Sequence, residues 1–154
     1  MATDKPIQRG SWGISIDEPL FLPADDSSHL NNIQDPSLSL SRTNLRVDWQ
    51  TLRRLPLSGA IAFNFKCLFT PISSLNNEPY IPGLLAKILK EGKKELMEYK
   101  GTRNVEHVVV PASEEMEKVQ KERGVVEEGW EVQTLEQYPW FPGWEDKWQK
   151  EQGF

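Results

Sequence analysis

Apolar and polar residues alternate most sharply over residues 45–69. In 45-LRVDWQT-51, Leu45, Val47, Trp49 and Thr51 fall on one side of an extended chain, and Arg46, Asp48 and Gln50 on the other. In 60-AIAFNFKCLF-69, Ile61, Phe63, Phe65, Cys67 and Phe69 share a side, while Ala60, Ala62, Asn64, Lys66 and Leu68 take the opposite one. The intervening RRLPLSG carries the proline and glycine that a turn needs, and it places Arg53 and Arg54 in that turn. An antiparallel hairpin follows. The pattern predicts one aromatic and aliphatic face, and a second face carrying Arg46, Asp48, Gln50, Asn64 and Lys66.

Around the hairpin the periods change. Ile14 and Ile16 alternate with Ser15 and Asp17, which predicts a short strand. Residues 23–44 are rich in Ser, Asp, Asn and Pro and read as a long surface loop. Over 76–101, Ile81, Leu84, Leu85, Ile88, Gly92 and Leu96 follow helical spacing. Asn76 or Asn77 is placed to cap that helix, Pro79 or Pro82 fits its first turn, and Gly101 ends it. Its apolar stripe is expected to lie on the sheet. VEHVVVPA (105–112) reads as a short strand, and Ser113 then caps a charged helix that stops at Gly124. From Gly129 onward, GWEVQTLEQYPWFPGWEDKWQK holds four of the six tryptophans, interrupted by Pro and Gly. The expected layout is a disordered N-terminus over 1–10, one domain over 11–128, and a Trp-rich C-terminal extension over 129–154 that packs across the domain. A partner surface is the other reading of that extension, since aromatic residues dominate binding hot spots.

Composition narrows the function classes. A net charge of -5 argues against nonspecific nucleic-acid binding, which depends on basic surface. One cysteine, Cys67, cannot form an internal disulfide, so a reducing compartment is the simpler reading. With no long apolar run and no apolar leader at the N-terminus, the expectation is a cytoplasmic protein without a membrane partner. No phosphate-binding glycine motif is present.

Candidate chemistry is sparse. The two histidines, His29 and His107, are far apart, and zinc-type sites need several ligands at short spacing. His107, in VEHVVV, is either a half-buried strand histidine or a single iron ligand of the haem type. Cys67 lies among phenylalanines, which favours a protonated core thiol over a thiolate ligand. Arg46 stands beside Asp48 and Gln50. It either pairs with Asp48 or offers its fork to a carboxylate such as a cofactor propionate.

The segment 45-LRVDWQTLRRLPLSGAIAF-63 resembles the signature of the DUF3445 family, the haem-dependent oxidative N-demethylase-like proteins, close to LRxxRQTLRRLPxSGAIxFxI. Leu45, Arg46, Gln50 to Pro56, Ser58 to Ile61 and Phe63 match it, while Asp48-Trp49 departs from it. EPYIPGLL and MEYKG are similar to the family too, and VEHVVVPA and YPWFPGW resemble its fungal branch. The resemblance implies an α+β, PAS-like antiparallel sheet with flanking helices, incomplete at the N-terminus, so that this chain corresponds to the C-terminal portion of the family fold. It implies haem b as cofactor and oxidative demethylation of a secondary amine such as dimethylamine, releasing formaldehyde. That activity is a monooxygenase reaction driven by NADPH through a reductase or electron-transfer component. Arg46, Gln50 and Arg54 become the implied haem-pocket residues and His107 the candidate iron ligand. Two other readings stay open: a PAS-like module that binds haem or a small ligand without turnover, and an inactive fragment that pairs with a separate N-terminal half.

Overall fold

The structure is a computed structural model that describes residues 3–18, 33–127 and 129–130. Three antiparallel strands form one sheet in the order β1 (Ile7–Ile16), β2 (Thr43–Arg54), β3 (Ile61–Pro71). A 3-10 turn, Leu40–Arg42, precedes β2, and another, Ile72–Asn77, follows β3. Three helices complete the chain: α1 (Ile81–Glu91), α2 (Lys94–Lys100) and α3 (Arg103–Glu122). The architecture is α+β, with helices flanking an antiparallel sheet. β1 is longer than the Ile14–Ile16 alternation indicates. It begins at Ile7 and so takes in the last residues of the segment expected to be disordered.

The hairpin closes as its composition requires. Leu55 N–H donates to the Ala60 carbonyl at 2.8 Å, Gly59 N–H to the Leu55 carbonyl at 3.0 Å, and Ala60 N–H to Ser58 Oγ at 3.2 Å. Gly59 sits at φ 67, a left-handed conformation that costs a side-chain-bearing residue about 1 kcal/mol. Arg53 and Arg54 are the last residues of β2 and not part of the turn. At the other end of the sheet, Arg42 grips the Asp17 carboxylate with two bonds, Nη2–Oδ2 at 2.7 Å and Nε–Oδ1 at 3.1 Å. Those bonds hold the Asp17 carboxyl below its ordinary value.

The core lies where the end of the sheet meets the helices. Leu38, Ile72, Leu75, Leu85, Leu89, Val105 and Val109 are buried together, with Ile14, Ile16 and Leu45 from the sheet packed against them. Burying each such side chain stabilises the fold by roughly 1.5–3 kcal/mol. The apolar stripe of α1 lies mainly on α3 and not on the sheet, which corrects the sequence expectation. The two helices approach closely at Gly83, where a Cβ would stand 2.8 Å from Cδ of Glu117. Only the Ile14–Ile16 end of the sheet is covered; its distal half extends beyond the helical layer, with Phe63 and Phe65 exposed. Lys100 adds a tie between the layers: its ammonium donates to the Trp12 carbonyl at 2.6 Å and stands 4.3 Å from the Trp12 ring centroid. Partial burial pushes the Lys100 pKa down.

Three sequence expectations change in the helical layer. The 76–101 segment is two helices, not one. Gly92 is extended (ψ 148), and a Cβ there would lie 2.5 Å from the Ile88 carbonyl oxygen and 3.0 Å from Met97 Sδ. We expect Gly92→Ala to cost about 2 kcal/mol by equilibrium unfolding, since neither backbone nor packed methionine gives way cheaply. Second, Asn76 and Asn77 belong to the 3-10 turn, and the N-cap of α1 is Tyr80, in left-handed conformation at φ 69; Pro82 does occupy the first turn. Third, 105–112 is helical. Val105, Val109 and Ser113 repeat every four residues and are all fully buried, so packing overrides the β propensity of the valine run. Ser113 is therefore inside α3 and not a cap, and Pro111 is accommodated within the helix.

Candidate functional site: the outer face of the sheet

Register decides which side chains meet. Arg54 pairs with Ile61 across residues 55–60, and the ladder then sets Arg46 opposite Phe69, Asp48 opposite Cys67, Gln50 opposite Phe65 and Leu52 opposite Phe63. Directly paired residues share a face. The polar residues of β2 therefore lie among the aromatics of β3. Asn64 and Lys66 pair with Thr51 and Trp49 and belong to the opposite face. This corrects the expectation of one aromatic face and one polar face: Arg46, Asp48 and Gln50 share a face, but not with Asn64 and Lys66. On the other edge, Arg9 opposes Gln50, Ser11 opposes Asp48 and Gly13 opposes Arg46.

Leu45, Ile14 and Ile16 point into the core, so the face bearing Arg46 points away from the helices. This outer face is broad and part apolar, part cationic. Phe63 and Phe65 stack with ring centroids 5.9 Å apart at 29°. They are 50% and 52% exposed, and their neighbours Ile61 and Ile7 are 57% and 47% exposed. Arg46 Nε donates to Asp48 Oδ1 at 3.1 Å, the pairing that the sequence offers as one of its alternatives, and its guanidinium carbon stands 5.8 Å from the Phe69 ring centroid. Arg9 Nε donates to Gln50 Oε1 at 2.7 Å. Cys67 is half-buried here, and its thiol pKa is raised, first by burial and then by a hydrogen bond with Asp48. A raised pKa keeps the sulfur protonated and a poor metal ligand.

Arg46, Gln50 and Arg54 thus lie on one face, joined by an unforeseen Arg9. Its signal was present in the sequence but required the β1–β2 register to read. His107 lies elsewhere. It sits on α3, in the helical layer on the other side of the sheet, and its Nε2 is 2.8 Å from the Asp35 carbonyl oxygen. His107 Nδ1 is buried without a hydrogen-bond partner. His29 falls outside the described residues. Two clefts of about 310 Å³ each flank α1, one toward α2 and the start of α3, the other toward Glu114, Glu117 and Trp130. None of Arg46, Gln50, Arg54 or His107 lines either of them. Among the described residues no group of three His, Cys, Asp or Glu side chains is placed to hold a metal ion, and no helix is long and apolar enough to cross a membrane.

The fold and this face define an α+β protein with an arginine-edged aromatic platform on an uncovered sheet. Residues 1–110 match the family model described as haem-dependent oxidative N-demethylase, alpha subunit-like, and the chain belongs to that family. The family's description connects it with haem, with oxidative N-demethylation and, as an alpha subunit, with a partner subunit. A search of curated proteins returns no match to the chain.

The residues present suit part of a haem. Two stacked phenylalanines offer a flat apolar bed for a ring, and Arg46 and Arg54 offer forks of the geometry that carboxylates accept. Neither histidine ligand nor thiolate stands on the described part of this face.

Proposed function

We propose that this chain is the cofactor-binding C-terminal portion of an oxidative N-demethylase, with a PAS-like sheet whose outer face receives haem b. The carrying observation is the co-location of Phe63, Phe65, Arg46, Gln50 and Arg54 on one uncovered face. In this reading Phe63 and Phe65 carry the macrocycle, Arg46 holds a propionate, Gln50, fixed by Arg9, lines the pocket wall, and Arg54 adds positive charge at the turn end of the face. Bound haem supplies the activation of oxygen. The overall reaction converts a secondary methylamine, O2, NADPH and a proton into the demethylated amine, formaldehyde, NADP+ and water. Electrons come from NADPH through a reductase component. Dimethylamine is the simplest substrate, and the cytoplasm the expected compartment.

The protein's own part is exclusion of water by the phenylalanines and charge balance by the arginines. Packing a propionate against Arg46 would compete with Asp48, which already holds Nε. The Asp48 carboxylate fixes the Arg46 guanidinium on the outer face beside the Phe69 ring. The activity test is formaldehyde release from dimethylamine by the haem-loaded chain with NADPH and a competent reductase. Amine-dependent formaldehyde supports the reading.

Haem binding without amine-dependent NADPH consumption would instead support a non-catalytic binding module. One observation favours that second reading: His107 lies on the far side of the sheet, held by the Asp35 carbonyl, so the iron ligand would come from outside the described residues. A separate N-terminal half is one source, and among the described residues no strand pairs with the outer edge of β1 or of β3, where such a half could add.

A further inference from the structure

We infer that two copies of this chain pair along the outer edge of β3, antiparallel and about a two-fold axis at Phe65, a contact that lies beyond the cofactor reading and does not depend on it. Among the described residues no strand pairs with that edge. Every residue from Ile61 to Lys66 is exposed, and Ile61, Phe63 and Phe65 are 50–57% exposed. A long apolar edge strand is a template for a further strand, because its outward N–H and C=O groups have no ladder partner. The guards that natural edges carry are sparse here. Before its terminal Pro71, β3 has no proline, no glycine and a single charge, Lys66. β1 is the less open edge. Lys100 already takes the Trp12 carbonyl in mid-strand at 2.6 Å, and Gly10 and Gly13 interrupt its side chains.

A second copy is the occupant that the strand's own pattern fits, and the pattern fixes the register. Overlap of all 11 residues would set Lys66 directly against Lys66, and like charges opposite each other destabilise a ladder. It would also bring in Pro71, which has no N–H to donate. An axis at Phe65 avoids both. Over Ile61–Phe69 it sets Phe65 against its own mate, Phe63 against Cys67 and Ile61 against Phe69 on the outer face. On the inner face Asn64 meets Lys66 and Ala62 meets Leu68. The one charge then faces an amide, and every outer pair is apolar, with an aromatic pair on the axis. The bulk of each copy permits the contact. A two-fold axis normal to the sheet keeps both outer faces on one side. The core covers the sheet at the Pro71 end of β3, so the two helical layers fall at opposite ends of the joined strands. Such a contact uses the same edge on both copies and closes as a dimer. Phe63 and Phe65 of the two copies then form one continuous aromatic row across the axis.

The test uses the full chain without hemin. Light scattering on a sizing column is expected to give twice the chain mass at high micromolar concentration, falling to the single-chain mass on dilution. Phe65→Lys and Phe65→Glu each set like charges against each other on the axis. Each alone is expected to weaken the dimer about tenfold or more, and an equal mixture of the two to restore it. Restoration in the mixture separates a broken contact from a misfolded chain. Register is read by disulfide capture in a Cys67→Ser background. Asn64→Cys mixed with Lys66→Cys is expected to give the mixed disulfide, identified by mass, in excess over either self-disulfide. A single-chain mass at high concentration, or no restoration by the Lys–Glu mixture, overturns the inference. So does a dimer without the mixed disulfide, since packing of two outer faces against each other would leave Asn64 and Lys66 on opposite outsides.

Discussion

Replacing Gln120 with glutamate is expected to destabilise the protein by about 3 kcal/mol at neutral pH, a large share of a typical domain's stability. Gln120 is 2% exposed, and its amide organises the turn between β3 and α1. Nε2 donates to the carbonyls of Glu78 at 2.8 Å and Asn76 at 3.0 Å, with Leu75 O at 3.5 Å, while Oε1 accepts the Tyr80 N–H at 3.2 Å. These bonds hold Tyr80 in its left-handed conformation. A carboxylate would keep the Tyr80 bond but set an anion against three carbonyl oxygens. The acid therefore folds protonated, with its pKa pushed up by burial and by those oxygens. Between the ordinary carboxyl value and that raised value the folded state binds more protons than the unfolded state, so stability falls as pH rises across the window. Below it, the protonated acid restores one donor and part of the loss. Gln120→Met, which removes every bond and adds no charge, is expected to cost about 2–3 kcal/mol with no such pH dependence. Denaturant unfolding of both variants from mildly acidic to mildly alkaline pH makes the comparison; parallel curves would refute this role for Gln120.

The second large effect concerns the outer face. Arg46→Gln is expected to weaken hemin binding about tenfold, the loss of one charge-assisted contact worth about 1.5 kcal/mol. Arg53→Gln, an arginine of the same strand on the inner face, is expected to leave binding unchanged. Arg46 is 27% exposed and paired with Asp48, so its loss also leaves Asp48 without that partner. Far-UV circular dichroism of the variant, expected to match the parent, separates a binding defect from an unfolded sheet. Equal weakening by both substitutions would point to bulk charge and not to a site.

Much of the site-bearing element was legible in the sequence, because a strand's period of two and a turn's Pro and Gly are local. The β2–β3 hairpin, the Gly59 turn, the Arg46–Asp48 pairing and the stops at Gly101 and Gly124 all follow from neighbours in sequence. What did not follow was parity. Grouping apolar with apolar put Asn64 and Lys66 beside Arg46, whereas the length of the 55–60 connection sets even residues of β2 against odd residues of β3. Helical packing was equally hidden. The valine run of 105–112 has strand propensity, and only its spacing with Ser113 and Gln120, seen against α1, marks one buried helical face. Gln120 itself carries no local signal, since its partners lie forty or more residues earlier.

The central proposal is that the outer sheet face is a bed for an acidic aromatic macrocycle. Titration of the purified chain with hemin, followed by the Soret band, tests this most directly. The prediction is a saturable spectral change at one hemin per chain, weakened by Arg46→Gln and untouched by Arg53→Gln. A spectrum that rises without saturation, as for free hemin in buffer, would contradict it.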